Sequence, residues 1–171
     1  MARLRPPRPL DEGDDRSGFD CGRESMNQWF RRHAWQNQQA GLSRTTVLCD
    51  AESGAIVGYV TLSTGHIERE FLPKSAQRNK PVDIPIFLLG QLAVDRRHQG
   101  AGIARSLLFY ALKTSVVVAR RVGCFGVLTH PLDDEVRGFY RRFGFEELPH
   151  DPRRSMIVRI KDLELNGFSE D

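Results

Sequence analysis

The spacing of apolar residues along the 171-residue chain predicts alternating helices and strands. From Arg23 to about Ala40, apolar positions recur in steps of three and four, which is typical of an amphipathic helix, and Gly41 is well placed to end it. Thr45–Cys49 and Ile56–Ser63 are rich in β-branched residues and enclose a polar turn at 50–54. These two runs therefore predict a hairpin.

The second half of the chain predicts a buried strand followed by a long helix. Residues 86–94 form a mostly apolar run, typical of a central strand, and Ile103–Val118 predicts a helix that is apolar on most faces. Glu68–Pro85 has two prolines inside it, in addition to Pro85 at its end, together with several cations, and predicts a mobile loop. Further short elements are expected as strands at Arg8–Leu10, Phe125–Leu128, Phe145–Leu148 and Ser155–Ile160 and as a helix at Asp133–Arg142. We expect a single domain over residues 1–171, with its motif core at about 17–160. The fold is expected to be mixed α/β, because more strands follow one another directly than a strict β–α–β alternation would give.

The composition is that of an ordinary globular protein, with 40% hydrophobic and 27% charged residues. No apolar run approaches the roughly 20 residues of a membrane helix. The Arg- and Pro-rich start lacks the apolar segment of a signal peptide, so a cytoplasmic protein is predicted. Cys21, Cys49 and Cys124 are widely spaced and odd in number, and predict neither a disulfide framework nor a metal site.

Positive charge is concentrated in the middle of the chain. Residues 21–160 hold 20 Lys and Arg against 13 Asp and Glu, a difference of +7, although the whole chain carries only +3. Of the 25 basic residues, 21 are Arg, whose guanidinium suits bidentate phosphate contacts. Either a polyanionic partner or the codon bias of a GC-rich genome would explain this excess of Arg, and composition does not distinguish them.

The strongest chemical motif lies between the apolar strand and the long helix, at Arg97-His98-Gln99-Gly100-Ala101-Gly102. Its glycines let the backbone approach a ligand closely, and the following helix offers free N–H groups and a positive dipole end. A pyrophosphate suits such a turn. It is not a Walker loop, since no Gly-Lys-Ser/Thr follows, and it lacks the spacing of a Rossmann fingerprint.

Two segments resemble the GNAT acetyltransferase superfamily: Arg97-x-x-Gly100-x-Gly102 and Phe139-Tyr140-x-x-x-Gly144-Phe145. The resemblance implies a central, mostly antiparallel mixed sheet flanked by helices, with a splayed parallel strand pair at an acetyl-CoA site. It also implies that the Tyr140 hydroxyl protonates the departing thiolate. The acetyl-CoA-binding residues implied are Leu92, Ala93, Val94, Arg97, Gln99, Gly100, Ala101, Gly102, Ile103, Ala104 and Phe139.

Other segments are not generic to acetyltransferases. Phe19-Asp20-Cys21-Gly22, Asn37–Thr45 and Ile56–Leu62 resemble the TacT-like GNAT toxins of type II toxin–antitoxin modules. The resemblance implies acetylation of the α-amino group of aminoacyl-tRNA, which blocks translation. It further implies a ribbon-helix-helix antitoxin, promoter DNA bound only through that antitoxin, a homodimer, and neither metal nor membrane.

Candidate acceptor and tRNA contacts are Asn37, Ser43, Arg44, Arg141 and Arg142. Gln91 departs from the family, several members of which carry Arg at that position. No Glu or His stands out as a general base, and an α-amino group, which titrates well below lysine, needs none near neutral pH. His33, His66 and His130 remain alternatives. The basic residues available to follow a phosphate backbone are Arg31, Arg32, Arg44, Lys74, Arg78, Arg137, Arg141, Arg142, Arg153 and Arg154.

Two other functions remain compatible with the sequence. One is acetylation of a small-molecule or protein amine, although a cationic acceptor normally calls for an acidic cleft and residues 21–160 are net basic. The other is a non-catalytic co-repressor that acts with a DNA-binding partner. No helix-turn-helix or basic zipper is recognisable, so base-specific DNA recognition by this chain alone is not expected.

Overall fold

The computed structural model describes residues 3–168, so residues 1–2 and 169–171 of the expected domain lie outside the described residues. Strands are β1 Arg8–Pro9, β2 Arg44–Cys49, β3 Ile56–Glu68, β4 Asp83–Val94, β5 Gly126–Thr129, β6 Glu146–Glu147 and β7 Met156–Arg159. Helices are α1 Glu24–Arg32, α2 Ala34–Ala40, α3 Ile103–Ala119, α4 Asp134–Arg142 and α5 Ile160–Leu165, with short 3₁₀ turns at Arg69–Phe71, Lys74–Ala76 and Arg96–His98. Within residues 3–168, no helix has both the length and the apolar composition needed to span a membrane.

The strands form one mixed sheet in the order β1-β2-β3-β4-β5-β7-β6. The pairs β1–β2, β2–β3, β5–β7 and β6–β7 are antiparallel, whereas β4 and β5 run parallel. A parallel pair needs a crossover connection, and α3 supplies it. The parallel pairing ends at Leu89 opposite Thr129, although β4 continues to Val94. The expected mostly antiparallel mixed sheet, with a parallel strand pair in it, is confirmed.

The chain divides into two compact units, and the first comprises the chain up to residue 63 together with residues 90–111. Its core is aromatic. The Phe30 ring stacks on Tyr59 with centroids 4.1 Å apart, and Phe19 meets Tyr59 edge-on at 5.4 Å. Phe30 from α1 and Ala34 from α2 are fully buried. The two helices therefore cover the aromatic side chains with their apolar stripe.

The single helix expected from Arg23 to Ala40 is two helices. Helix α1 ends at Arg32 and α2 begins at Ala34, with His33 between them at φ of −119°. Spacing alone hides this break because apolar positions continue in register on both sides of it. Gly41 ends α2 in the left-handed conformation, with φ of 74°, as predicted.

The second unit comprises residues 64–89 and 112 onward. Its core gathers isoleucine and leucine side chains, among them Ile84, Ile86, Leu128 and Ile157. The segment expected to be a mobile loop carries two 3₁₀ turns, and the Arg69 guanidinium donates to the backbone carbonyl of Lys80 at 2.8 Å. Helix α5 was not expected, since its six residues are too few to show a helical period.

Candidate active site

Strand β4 ends in the glycine turn that the sequence predicted. Ala93 and Val94 are buried at the end of the strand, and α3 begins at Ile103. Between them, Gly100 and Gly102 have φ of 84° and 79°, a region that side chains with a Cβ rarely adopt. A Cβ added to either glycine would meet no heavy atom within 4 Å. The outer face of the turn is therefore open to a ligand.

The start of α3 presents backbone amides at this turn that have no hydrogen-bond partner among residues 3–168. Ser106 N–H donates to the carbonyl of Gly102 at 3.1 Å, so the amides of Ile103, Ala104 and Arg105 precede the first intrahelical bond. These amides point along the helix dipole and carry its positive end. The combination of free N–H groups and open glycine backbone fits a pyrophosphate.

Asp95 fixes the turn through hydrogen bonds that its buried carboxylate accepts. Its carboxylate is 1% exposed and accepts hydrogen bonds from the Arg97 amide at 3.0 Å, the Arg97 guanidinium at 2.9 and 3.2 Å, and the Asp20 amide at 3.2 Å. Burial by itself raises the pKa of Asp95, but these hydrogen bonds outweigh it and lower the pKa to about 2. Arg97 is one of the residues predicted to bind acetyl-CoA, and in this structure its guanidinium pairs with Asp95.

A second set of hydrogen bonds ties the N-terminal segment to the turn. Asn27 donates to the Asp20 carboxylate at 2.9 Å and accepts from the Cys21 amide at 2.9 Å. The Gln99 side chain donates to the carbonyls of Val94 at 3.0 Å and Cys21 at 3.1 Å. Sequence reasoning missed the part that Asp95 and Asn27 play. The only signal in the sequence was an acidic residue, Asp95, directly after an apolar strand.

The predicted acceptor residues of the first unit lie at the connection from α2 to β2. The carbonyl of Asn37 accepts from the Leu42 amide at 2.9 Å, and Arg44 donates to the carbonyl of Gln38 at 3.0 Å. Gln38 was not predicted, yet its side-chain oxygen accepts from the Thr45 amide at 2.7 Å and fixes the connection. The Ser43 hydroxyl is buried and finds no hydrogen-bond partner within the part of the chain that the structure describes.

In the second unit, α4 carries the candidate acid Tyr140. The helix begins at Asp133, whose side chain accepts from the Val136 amide at 2.9 Å. Tyr140 is 4% exposed, and its ring contacts Phe139 and Phe145 at centroid distances of 5.2 and 5.1 Å. Burial raises the pKa of Tyr140 to about 12, against the opposing effect of a hydrogen bond with Thr129. Tyr140 is therefore a neutral phenol that can act as an acid at physiological pH.

The basic residues around α4 divide into exposed and buried ones. Arg141 and Arg142 are exposed at the end of the helix, as a phosphate contact requires. Arg137 is only 6% exposed, and its guanidinium donates to the Glu147 carboxylate at 2.9 Å and to the carbonyl of Arg154 at 2.8 Å. The expectation that Arg137 could follow a phosphate backbone is therefore wrong, since its guanidinium is itself buried and is bound to Glu147 and to the Arg154 carbonyl.

Two of the alternative general bases have other partners. Nδ1 of His130 lies 2.7 Å from the Ser155 hydroxyl, and burial lowers the pKa of this imidazole. His66 is exposed and lies 3.8 Å from the Asp83 carboxylate. The Ser155 hydroxyl and the Asp83 carboxylate account for the positions of these two imidazoles, so neither position requires a role in catalysis.

Residues 43–147, more than half of the chain, match the family model described as an acetyltransferase (GNAT) domain. A tRNA-acetylating toxin of Mycobacterium tuberculosis (strain ATCC 25618 / H37Rv) is 36% identical over 162 residues, which cover 95% of this chain and 96% of that protein. The likeness thus extends over nearly the full length of both proteins.

Solved structures show the same similarity. AtaT complexed with acetyl-methionyl-tRNAfMet superposes with a TM-score of 0.88, at 30% identity over 96% of this chain and 99% of that one. A tyrosine-to-phenylalanine mutant of the AtaT toxin, bound to the C-terminus of the antitoxin AtaR and to acetyl-CoA, superposes with a TM-score of 0.81. It is 25% identical and covers 98% of this chain and 99% of its own.

Proposed function

Because the chain belongs to the GNAT acetyltransferase family, we propose that it is a toxin that uses acetyl-CoA to acetylate the α-amino group of aminoacyl-tRNA, thereby blocking translation. The observation that carries the proposal is the open glycine turn between β4 and α3, with its free helix amides above a buried Asp95. The acceptor follows from the tRNA-acetylating relative, which matches nearly the whole chain.

Acetyl-CoA binds along β4 and the glycine turn in this proposal. The backbone at the end of β4 pairs with the pantetheine arm, and the turn amides hold the pyrophosphate. Arg97 contributes mainly through its backbone, because its guanidinium is paired with Asp95. Phe139, next to Tyr140, packs near the thioester end. The residues assigned to this cofactor are Leu92, Ala93, Val94, Arg97, Gln99, Gly100, Ala101, Gly102, Ile103, Ala104 and Phe139.

Acyl transfer requires one proton to leave the amine and one to reach the sulfur. The amine nitrogen attacks the thioester carbonyl carbon, so that a C–N bond forms and the C–S bond breaks. Tyr140 donates its phenolic proton to the departing sulfur, which its neutral state allows. Water takes the proton lost by the amine, because esterification leaves an α-amino group partly neutral near neutral pH.

The acceptor end of tRNA lies against the α2–β2 connection in this proposal. Asn37, Ser43 and Arg44 shape that pocket, and the buried Ser43 hydroxyl, which has no hydrogen-bond partner among residues 3–168, is a candidate donor to the acceptor end. The exposed pair Arg141 and Arg142 contacts phosphates. The solved AtaT complex with acetyl-methionyl-tRNA supports this substrate class.

The same proposal extends to partners. A ribbon-helix-helix antitoxin neutralises the enzyme, promoter DNA is bound only through that antitoxin, and the toxin is a cytoplasmic homodimer. The solved complex of AtaT with the C-terminus of AtaR supports neutralisation by an antitoxin. This partner is tested by co-expressing the protein with any small ribbon-helix-helix protein encoded by a neighbouring gene. Co-expression should relieve growth arrest.

Incubating the pure protein with labelled acetyl-CoA and total charged tRNA tests the function. We expect label on the α-amino group of an aminoacyl ester, identified by mass spectrometry after nuclease digestion. Deacylated tRNA is the matched control and should stay unlabelled. Label on a free amine or protein, with none on charged tRNA, would instead identify a small-molecule or protein acetyltransferase.

Replacing Gly102 with Ala is expected to weaken acetyl-CoA binding about tenfold, measured by calorimetry. The left-handed φ of 79° makes a Cβ strained by about 1–2 kcal/mol, and the methyl group stands where the pyrophosphate approaches the backbone. Gly41→Ala is a matched control, since Gly41 has φ of 74° and equally open surroundings. Equal binding losses in both variants would refute a ligand contact at Gly102.

Reversing the charge of Arg141 and Arg142 to Glu is expected to weaken tRNA binding and to reduce its salt dependence by about one unit of slope per lost phosphate contact. Both side chains are exposed, so we expect little change in the thermal midpoint. Arg120→Glu with Arg121→Glu is the control, because it makes the same charge change at another exposed pair. Equal losses from both pairs would mean that net charge alone governs binding.

A further inference from the structure

Thr61 in β3 binds a backbone amide of the neighbouring strand with its side chain. The residue is 3% exposed, and its hydroxyl accepts a hydrogen bond of 2.9 Å from the N–H of Gln91 in β4. Gly90 leaves room for this contact, because a Cβ added there would lie 3.2 Å from the Thr61 hydroxyl oxygen. A side-chain hydroxyl thus accepts a β4 amide, a role that carbonyl groups fill in a regular ladder.

The hydrogen bonds of β4 change phase at this point. In a regular strand, the N–H and C=O of one residue point to the same edge, and successive residues alternate between the two edges. The carbonyl of Leu89 lies on the β5 side, where it accepts from the Thr129 hydroxyl at 3.2 Å. Regular alternation would aim the Gln91 amide the same way, but that amide binds Thr61 on β3. The alternation therefore shifts by one residue between Leu89 and Gln91, which is the pattern of a β-bulge.

The shift decides which peptide groups of β4 lie on the edge away from β3. After it, the amides of Gln91 and Asp95 both face β3, and that of Asp95 donates to the Val57 carbonyl at 2.8 Å. Leu92 and Val94 alternate with them, so their N–H and C=O groups face the opposite edge. Without the shift, the peptide groups of Leu92 and Val94 would point at β3 and not at a ligand.

We propose that Thr61 is a positioning residue for acetyl-CoA: its hydroxyl holds the shift in β4 that turns the peptide groups of Leu92 and Val94 toward the pantetheine arm. The inference rests on the proposed function, in which the end of β4 pairs with that arm. Without the hydroxyl, the Gln91 amide loses its acceptor inside the sheet, and leaving the shifted register relieves that cost. The apparent affinity then falls with the fraction of molecules that keep the binding register.

Two ligands separate this role from a general loosening of the site. Acetyl-CoA contacts both β4 and the glycine turn, whereas 3′-phospho-ADP carries the pyrophosphate and lacks the pantetheine arm. The turn is fixed by hydrogen bonds that the Asp95 carboxylate accepts from Arg97, and Thr61 takes no part in them. Loss of the Thr61 hydroxyl should therefore weaken the binding of acetyl-CoA and spare that of 3′-phospho-ADP.

Calorimetry with both ligands on Thr61→Val and Thr61→Ser tests the proposal. Valine keeps the branched shape and removes the hydroxyl, whereas serine keeps the hydroxyl. We expect valine to weaken acetyl-CoA binding about tenfold, as when the competent fraction falls to about a tenth, and to change 3′-phospho-ADP binding by at most about twofold. Serine should restore most of the affinity for acetyl-CoA.

Thr45→Val is the matched control. Thr45 pairs with Thr61 across β2 and β3 and is 1% exposed, and its hydroxyl has no hydrogen-bond partner among residues 3–168. Its replacement should leave the affinities for both ligands unchanged. If Thr61→Val does not fold, Gly90→Ala replaces it, because the new Cβ crowds the Thr61 hydroxyl and should weaken acetyl-CoA binding with the same selectivity.

Hydrogen exchange of the Gln91 amide, followed by NMR, reports on the contact itself. Exchange should be faster in Thr61→Val than in the wild type and should return to the wild-type rate in Thr61→Ser. An unchanged exchange rate in the valine variant would overturn the proposal, because the amide would then have an acceptor other than Thr61.

The binding outcomes also separate this inference from the function it rests on. Wild-type affinity of Thr61→Val for acetyl-CoA overturns the role of Thr61. An equal loss for both ligands, or a serine variant as weak as the valine variant, reduces Thr61 to a packing residue and overturns the role as well. In each of these cases the proposed function stands. Wild-type protein that binds neither ligand would contradict the cofactor site of the proposed function and this inference with it.

Discussion

Tyr140→Phe is expected to lower kcat for acetylation of charged tRNA by about 10²- to 10⁴-fold, the usual contribution of a positioned acid. The expectation follows from a phenol whose pKa of about 12 keeps it protonated at neutral pH. Phenylalanine retains the ring that packs against Phe139 and Phe145. We therefore expect KM for acetyl-CoA and the thermal midpoint to change little, and growth arrest to disappear in cells expressing the variant.

Tyr110→Phe provides a matched control, because it removes one hydroxyl from a half-buried tyrosine on α3. It should leave kcat at the wild-type value. Wild-type turnover by Tyr140→Phe would remove the phenol from the mechanism and leave water as the source of the proton. A lowered thermal midpoint in parallel with the lost rate would instead point to a structural role for Tyr140.

The features that could be predicted from the sequence are those encoded by neighbouring residues. The apolar run, the glycines and the long helix follow one another, so β4, the turn and α3 were predicted nearly to their ends. Asp133 and the acidic residues after it likewise marked the start of α4. The hairpin of β2 and β3 followed from β-branched runs around a polar turn.

Features that depend on distant partners could not be predicted. Asp95 accepts a hydrogen bond from Asp20, 75 residues earlier, and no local pattern indicates that pairing. Arg137 looked like another exposed cation, because burial is decided by Glu147 and Arg154, which come from the strand and loop that follow α4. The resemblance identified the residues of the turn, but only the structure shows the hydrogen bonds to Asp95 and from Gln99 that fix the turn.

Asp95→Asn is expected to lower the free energy of unfolding at pH 7 by about 2 kcal/mol and the thermal midpoint by about 4–8 °C. The folded-state pKa of about 2 lies below the usual 3.8, so ionisation of Asp95 stabilises the folded protein. This stabilisation is complete above the unfolded pKa and disappears as the pH falls toward 2. The difference between wild type and variant should therefore shrink between about pH 5 and pH 2, measured by urea unfolding at each pH.

Asp83→Asn is the control, because its carboxylate is 71% exposed and should contribute at most about 0.5 kcal/mol. An Asp95 difference that stays constant from pH 7 to about pH 2 would show that packing, and not charge, sets the effect. The variant should also bind acetyl-CoA more weakly, since the Arg97 side chain and two backbone amides lose a charged acceptor. Saturating acetyl-CoA should then recover part of the lost thermal midpoint, because a ligand that binds only the folded state stabilises it.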